Sequence, residues 1–224
     1  MAENENDCET FDDYIHLKNG FDALWEPSWD EAPEAEVYSQ LCYLLAAQGL
    51  SILNTYSTLI PVALFVRHRR PYAVALFDFT DDEEEERCYA AVSAIAEACV
   101  ADGVVLMNDA FINLMPIEEF ETSPRSAVCE EKLSSQNCLV MSVIRPDEGT
   151  AALVPYGVAD DGSPFADSSV LAELLPQVAA PSIWMLRIQE ALKRSRGRVP
   201  GGADEVEAIA QSFTPPLSTF GVFE

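Results

Sequence analysis

The chain has 224 residues, enough for one large domain or for one domain with appended arms. Hydrophobic residues make up 49% of it, which excludes global disorder because a full core can form. Its 38 acidic residues outnumber 13 basic ones, and the formal charge of −25 argues against direct binding to nucleic acid or to an anionic membrane.

Residues 1–35 form a strongly acidic segment in which Lys18 is the one basic residue. Interleaved with the acids are five aromatic residues, namely Phe11, Tyr14, Phe21, Trp25 and Trp29. We expect a loosely ordered N-terminal arm here and not a wholly disordered tail, because wholly disordered segments tend to be poor in aromatic residues. Either these aromatics dock on a neighbouring molecule, or they pack back on the core of the protein itself.

The next segments predict a helix followed by a hairpin. Residues 36–47 carry apolar residues at helical spacing, and Gly49 is the expected end of that helix. Residues 60–66 have the composition of a buried strand. A basic turn over Arg67–Pro71 and a return strand over 72–79 complete the hairpin.

The clearest element is a helix over residues 81–102. Thr80 and Glu83 form a capping box, six acids stand at positions 81–86, and Gly103 is expected to end the helix. The apolar run 104–107 then predicts a strand. Strand, helix and strand in this order predict a right-handed crossover, with 72–79 and 104–107 as parallel strands of one sheet.

The second half predicts a further hairpin and several helices. Residues 108–120 are expected to form a turn and a short helix that ends near Pro116, and 121–136 a loop. The remaining predicted elements are strands over 137–145 and 150–156, and helices over 168–175, 182–196 (closed by Gly197) and 204–212.

The predicted fold class is α+β. We expect a single mixed sheet of about five strands with one right-handed crossover and a helical C-terminal part. Three regions follow: an acidic, aromatic-bearing arm over 1–35, a core domain over 36–196, and a C-terminal helix and tail over 197–224.

The hairpin, the acid-started helix and the strand Val104-Val-Leu-Met-Asn-Asp-Ala-Phe resemble an uncharacterised family of small bacterial and phage proteins. The likeness covers about residues 60–112. It implies a bacterial or phage source, but no activity, because the family has no function to transfer.

Most catalytic and cofactor chemistry has no support in this sequence. There are two histidines, His16 and His68, and no cysteine pair has zinc-finger spacing. Neither a serine nucleophile elbow nor a glycine-rich phosphate loop is present. We therefore expect no catalytic residue and no cofactor.

Carboxylates are plentiful enough to consider a metal site. Asp109 followed by Glu130-Glu131-Lys132 is similar to the arrangement of acids and a lysine in metal-dependent nucleases. Glu130 lies in a loop-like stretch, whereas such sites place their second motif on a strand. We therefore expect no metal site, with Asp109 and Glu130 as the candidate ligands if there is one. A carboxylate-metal enzyme remains an alternative function.

The compartment is expected to be the cytoplasm, or a particle assembled there. The acidic N-terminus predicts no secretory signal, and the most apolar stretch, 59–66, is too short to span a bilayer. The six scattered cysteines are expected to be small buried thiols in a reducing compartment; they are Cys8, Cys42, Cys88, Cys99, Cys129 and Cys138.

The basic residues fall into two groups. Arg67, Arg69 and Arg70 lie in the hairpin turn, and a second group lies near the end of the helix over 182–196. The second group, which suits the negative end of the helix dipole, consists of Arg187, Lys193, Arg194, Arg196 and Arg198.

The leading functional hypothesis is a non-enzymatic acidic interaction protein, a structural or accessory component of a larger assembly. Its aromatics would anchor a basic protein partner while the acids steer the encounter. The anchor residues are Phe11, Tyr14, Trp25 and Trp29 in the arm, and Phe213, Phe220 and Phe223 near the C-terminus. A DNA mimic that inhibits a nucleic-acid-binding protein is the alternative. The oligomeric state is left open.

Overall fold

A computed structural model describes residues 32–56, 59–114, 134–159, 164–165 and 183–223. In chain order the elements are α1 (Glu34–Tyr56), β1 (Val62–Arg67), β2 (Arg70–Phe77), α2 (Asp82–Ala98), β3 (Gly103–Leu114), β4 (Ser134–Arg145), β5 (Glu148–Val158), β6 (Pro164–Phe165), α3 (Ile183–Ser195), α4 (Ala203–Gln211) and β7 (Leu217–Val222). Among the described residues, no helix is long and apolar enough to cross a membrane.

The α+β class is confirmed, but the sheet is antiparallel rather than mixed. Six strands lie in the order β5-β4-β3-β1-β2-β7, and the short strand β6 pairs with the end of β5. Strands β2 and β3 are each antiparallel to β1 and therefore run in the same direction. They are not neighbours, because β1 lies between them. The apolar pattern of a strand indicates that the strand is buried, but it does not indicate which strand lies beside it.

Helices cover both faces of the sheet. On one face, α1 packs against alternate residues of β1 to β5, including Leu64, Met107 and Leu139. On the other face, α2, α3 and α4 pack against the intervening residues, such as Phe65 and Leu106. This alternation is the period-two pattern of a strand buried on both sides.

Helix α1 continues past Gly49, so the expectation that it ends there is wrong. A Cβ atom at position 49 would lie 2.8 Å from Sδ of Met107 and 3.3 Å from a methyl carbon of Leu139. The glycine therefore allows the helix to approach strands β3 and β4 closely. Burial of the whole helix face outweighs the low helix propensity of one glycine.

The N-terminus of α2 is capped one residue later than the sequence predicts. The carboxylate of Asp81 accepts a hydrogen bond of 2.8 Å from the backbone N–H of Glu84. The Glu84 carboxylate in turn accepts bonds from the backbone N–H and the hydroxyl of Thr80. The capping pair is therefore Asp81 with Glu84, and the acids that follow favour the positive end of the dipole.

The C-terminus of α2 is formed by a valine and not by Gly103. Val100 has φ of 52°, and the N–H of Ala101 donates to the carbonyl of Ala96 at 3.0 Å. This is a Schellman motif, whose left-handed position is usually glycine. Gly103 instead begins strand β3.

Strand β3 is much longer than expected. It runs to Leu114 and pairs with β4 from Val104 opposite Ile144 to Leu114 opposite Ser134. The predicted turn and helix are therefore wrong over 108–114, and the predicted loop is wrong from 134 onward. Pairing between the two strands overrides the local signals there.

The C-terminal elements agree with the sequence more closely. Helix α3 is followed by Gly197 with φ of 78°, as predicted, and α4 lies within one residue of its predicted bounds. The tail, however, forms an unpredicted edge strand, β7, which pairs with β2. The predicted helix over 168–175 lies outside the described residues.

Candidate functional site

The two basic groups of the sequence meet around one cavity of about 440 Å³ at one end of the sheet. Five parts of the chain line it: the start of α1, the β1–β2 turn, the α2–β3 connection, the β4–β5 turn and the end of α3. We call it the arginine-end cavity, because Arg69 and Arg196 lie in its wall. Both groups are apparent in the sequence, but nothing in the sequence predicts that they come together.

The β1–β2 turn brings Arg69 to the cavity. Its two residues, His68 and Arg69, have φ of 52° and 66° between the paired residues Arg67 and Arg70, the geometry of a two-residue turn with both φ values positive. The Arg69 Nη1 donates to the carbonyl of Ala32 at 3.0 Å. The turn is thus tied to the residues that lead into α1.

The α2–β3 connection supplies a carboxylate to the same wall. Asp102 follows the Schellman motif, and its backbone N–H donates to the carbonyl of Val66 at 2.7 Å. Its Oδ2 atom accepts a hydrogen bond from the backbone N–H of His68. Two hydrogen bonds therefore hold Asp102 against the β1–β2 hairpin.

The end of α3 supplies the second guanidinium. Arg196 follows the helix, and its Nη2 lies 3.0 Å from Oδ2 of Asp147 in the β4–β5 turn. Ser195, which is fully buried, donates to the carbonyl of Leu192. Gly197 adopts the left-handed conformation that turns the chain away from the helix.

Tyr38 of α1 is a buried polar group in the cavity wall. It is 4% exposed, and within the described part of the chain its hydroxyl has no hydrogen-bond partner. The Arg145 guanidinium lies 5.7 Å from the ring centroid. Burial raises the pKa of the Tyr38 hydroxyl, the carboxylates of Glu34 and Asp102 raise it further, and Arg145 opposes them.

Little in the sequence indicates which residues accompany the arginines. Tyr38 stands next to Val37 in an apolar helical pattern and is indistinguishable there from a core aromatic residue. Glu34 and Asp102 stand among many other acids. The signal that was available is the pair of arginine groups, one in a hairpin turn and one at a helix end.

The proposed aromatic anchors fall into two sets. The four in the arm (Phe11, Tyr14, Trp25 and Trp29) lie outside the described residues. Phe213 and Phe220 are partly buried against the core on the face with three helices. Phe223 packs against the core on the α1 face.

Of the two candidate metal ligands, Asp109 is among the described residues and Glu130 is not. Asp109 accepts a 2.6 Å hydrogen bond from the Tyr156 hydroxyl, and Glu130 lies outside the description. No group of three or more His, Cys, Asp or Glu side chains that could hold a metal ion occurs in the part of the chain that is described.

The described cysteines are buried free thiols: Cys42, Cys88, Cys99 and Cys138. Burial raises the pKa of Cys42, Cys88 and Cys99 to about 12 in each case. A thiol with so high a pKa carries almost no thiolate, which is the nucleophile and metal ligand. Cys8 and Cys129 lie outside the described residues.

Fold and site together define an α+β domain of three layers with a charged cavity at one end of its sheet. No protein-family model, no curated protein and no solved structure matches the chain. Its function has to be inferred from its own geometry and charge.

Proposed function

We propose that the protein is a non-enzymatic acidic interaction protein whose N-terminal arm docks on a basic protein. The observation that carries the proposal is the division of charge along the chain. Residues 1–31 hold ten acidic residues and one basic residue, whereas the described residues hold 18 acidic and ten basic ones. Residues 1–31, which make up most of the arm, are therefore much more negative for their length than the described residues.

Ion pairs within the fold make this contrast stronger. Arg194 and Arg198 both contact Glu97, and Arg187 pairs with Glu86. Such exposed pairs contribute little stability, but they balance charge locally. The arm has one base, Lys18, with which to form comparable pairs of its own. Its charge is thus left to attract a basic partner over a distance of about one Debye length, roughly 8 Å in the cell.

The aromatic residues of the arm supply the short-range part of the interaction. Trp and Tyr are the side chains most often found at energetic centres of interfaces. Because the aromatics near the C-terminus already contact the core, we assign the anchoring role to Phe11, Tyr14, Trp25 and Trp29 first. On the resemblance over residues 60–112, we further propose that the assembly is bacterial or phage-encoded.

The test is capture of partners from a lysate of the source cells or the infected host, after nuclease treatment, at low and at high salt. The full chain is compared with a chain that lacks residues 1–31 and with Trp25→Ala/Trp29→Ala. Deletion stops at 31 because Ala32 binds Arg69 and α1 begins at Glu34. The matched control is Tyr43→Ala/Leu186→Ala, which removes two exposed apolar side chains from the fold instead.

We expect the full chain to capture a partner at both low and high salt. Capture should be lost when residues 1–31 are deleted, should weaken in the tryptophan variant and should be unchanged in the control. Circular dichroism must show that the deleted chain still folds. Unfolding on deletion would mean that the arm aromatics belong to the core, which would overturn the proposal. A basic partner that is lost at high salt and displaced by DNA would favour the DNA mimic instead.

A further inference from the structure

The arginine-end cavity has the size and construction of a ligand site. Its volume of about 440 Å³ lies within the range of roughly 300–1,000 Å³ that is usual for small-molecule pockets. Hydrogen bonds tie its walls to one another, from Arg69 to Ala32, from His68 to Asp102 and from Arg196 to Asp147. The cavity is therefore formed before any ligand enters.

Its walls offer donors for an anionic group. The Arg69 guanidinium uses Nη1 for Ala32, and the Arg196 guanidinium uses Nη2 for Asp147. A guanidinium has about five N–H donors, so both retain donors that fit a carboxylate. Both side chains are exposed at the cavity, where a ligand can reach them.

The same walls offer acceptors for a cationic group. Glu34 lies at the start of α1, and Asp102 lies in the α2–β3 connection. Both residues line the cavity together with Tyr38, and both carboxylates raise the pKa of the Tyr38 hydroxyl. Arg145 approaches Glu34 to 3.6 Å only, which leaves most of the acceptor capacity of that carboxylate unused.

A ligand with a single charge would pair with only one of the two kinds of charged group in the cavity wall, either the guanidinium groups or the carboxylates. An anion would leave Glu34 and Asp102 beside it and would also be repelled by a chain of formal charge −25. A cation would use neither the remaining Arg69 donors nor those of Arg196, whose exposed partner is Asp147. A zwitterion has no net charge to be repelled, and it presents a partner to each kind of group.

We propose that the arginine-end cavity binds a small zwitterion of the amino-acid class, with its carboxylate at Arg69 and Arg196 and its ammonium group at Glu34 and Asp102. The residues assigned to this site all belong to the described part of the chain, and none of them lies in residues 1–31. Either proposal can fail without the other.

The test is isothermal titration calorimetry on the full chain with a panel of free L-amino acids. For the tightest compound, the matched amine without the carboxyl group and the matched acid without the amino group are titrated as well. We expect saturable binding that weakens at least tenfold when either charged group is missing. The variants are Arg196→Gln and Glu34→Gln, each expected to weaken binding at least tenfold.

The control is Arg187→Gln, which also removes an exposed arginine and its ion pair, with Glu86, but lies outside the cavity wall. Its affinity should equal that of the unchanged chain. If Arg196→Gln loses its fold, Arg69→Gln tests the same subsite from another element. Absence of binding across the panel, equal binding of the matched amine or acid, or retention of affinity in the cavity variants would each overturn the proposal.

Discussion

Val100 and Gly197 both adopt the left-handed conformation, yet one is β-branched and the other has no side chain. For a residue with a side chain this conformation costs about 1–2 kcal/mol. Val100→Gly should therefore stabilise the fold, by about 0.5–1 kcal/mol after the greater chain entropy of unfolded glycine is subtracted.

Gly197→Ala should destabilise the fold by about 1 kcal/mol. The whole cost comes from the left-handed backbone conformation, because an added Cβ at position 197 meets nothing within 4 Å. Urea unfolding of the two variants measures both changes, and equal signs would contradict this explanation.

Gly103 is required for a different reason, which is space. A Cβ atom at that position would overlap the Tyr38 hydroxyl and lie 2.9 Å from Cζ of Tyr38 and 3.0 Å from the carbonyl oxygen of Ile144. Gly103→Ala should therefore cost about 1–3 kcal/mol of stability, as overpacking does elsewhere.

A double-mutant cycle with Tyr38→Phe tests this contact. Tyr38→Phe alone should be neutral or slightly stabilising, because the hydroxyl it removes is buried without a partner among the described residues. In the Tyr38→Phe background, Gly103→Ala should cost less, since the nearest overlapping atom is gone. Additive effects of the two substitutions would show that the hydroxyl is not what excludes a side chain at position 103.

At the scale of elements, Glu97 joins the ends of α2 and α3. Hydrogen bonding to Arg194 is the main cause that lowers its pKa below 4.5, and Arg198 adds to it. Because this pKa is lower in the folded chain than in the unfolded chain, the carboxylate stabilises the fold at pH values above its pKa in the unfolded chain. The stabilisation is lost as the pH falls through the pKa of Glu97 in the folded chain.

Glu97→Gln should therefore reduce the free energy of unfolding at neutral pH by about 1 kcal/mol or less, because both arginines are more than half exposed. The difference from the unchanged chain should shrink as pH falls below 4.5. The control is Glu190→Gln, which removes an exposed pair with Lys193 and should change stability by about 0.3 kcal/mol or less. A Glu97→Gln effect of the same size at acidic and neutral pH would rule out the carboxylate as its origin.

The elements that sequence predicts well are those whose ends carry local signals. Helix α2 has acids and a side-chain cap at its start, and α3 has Gly197 at its end. The sequence predicts the bounds of both helices to within a few residues. The elements predicted poorly depend on distant residues. Gly49 is compatible with α1 because Met107 packs against it, and residues 108–114 form a strand because β4 pairs with them.

The arginine-end cavity shows the same difference between local signals, which the sequence carries, and contacts between distant residues, which it does not. Each arginine group was visible in the sequence, because like charges close together stand out in a chain with few bases. Their meeting depends on the order of the strands, which places the β1–β2 turn and the end of α3 around one cavity. The acidic residues of the wall could not be distinguished from the other acids of the chain.

At the scale of the whole molecule, the dominant quantity is the formal charge of −25. Like charges repel more strongly when the chain is compact, so salt should stabilise the fold by screening them. Between about 0.1 M and 1 M NaCl the Debye length falls from about 10 Å to about 3 Å. The exposed ion pairs lose strength over the same range, but each contributes little. We therefore expect the Tm of the full chain to rise with NaCl.

Deletion of residues 1–31 isolates the part of this effect that the arm causes. It removes ten acidic residues and one basic residue, so the repulsion that salt can relieve becomes smaller. The Tm of the deleted chain should rise less steeply with NaCl than that of the full chain, as measured by thermal unfolding in parallel. Because both chains see the same salt, general effects of NaCl on hydrophobic burial cancel in the comparison. Equal slopes would mean that the arm stays too far from the fold for its charge to act on it. A Tm that falls with salt in both chains would mean that ion pairs such as Arg194–Glu97 outweigh the net repulsion.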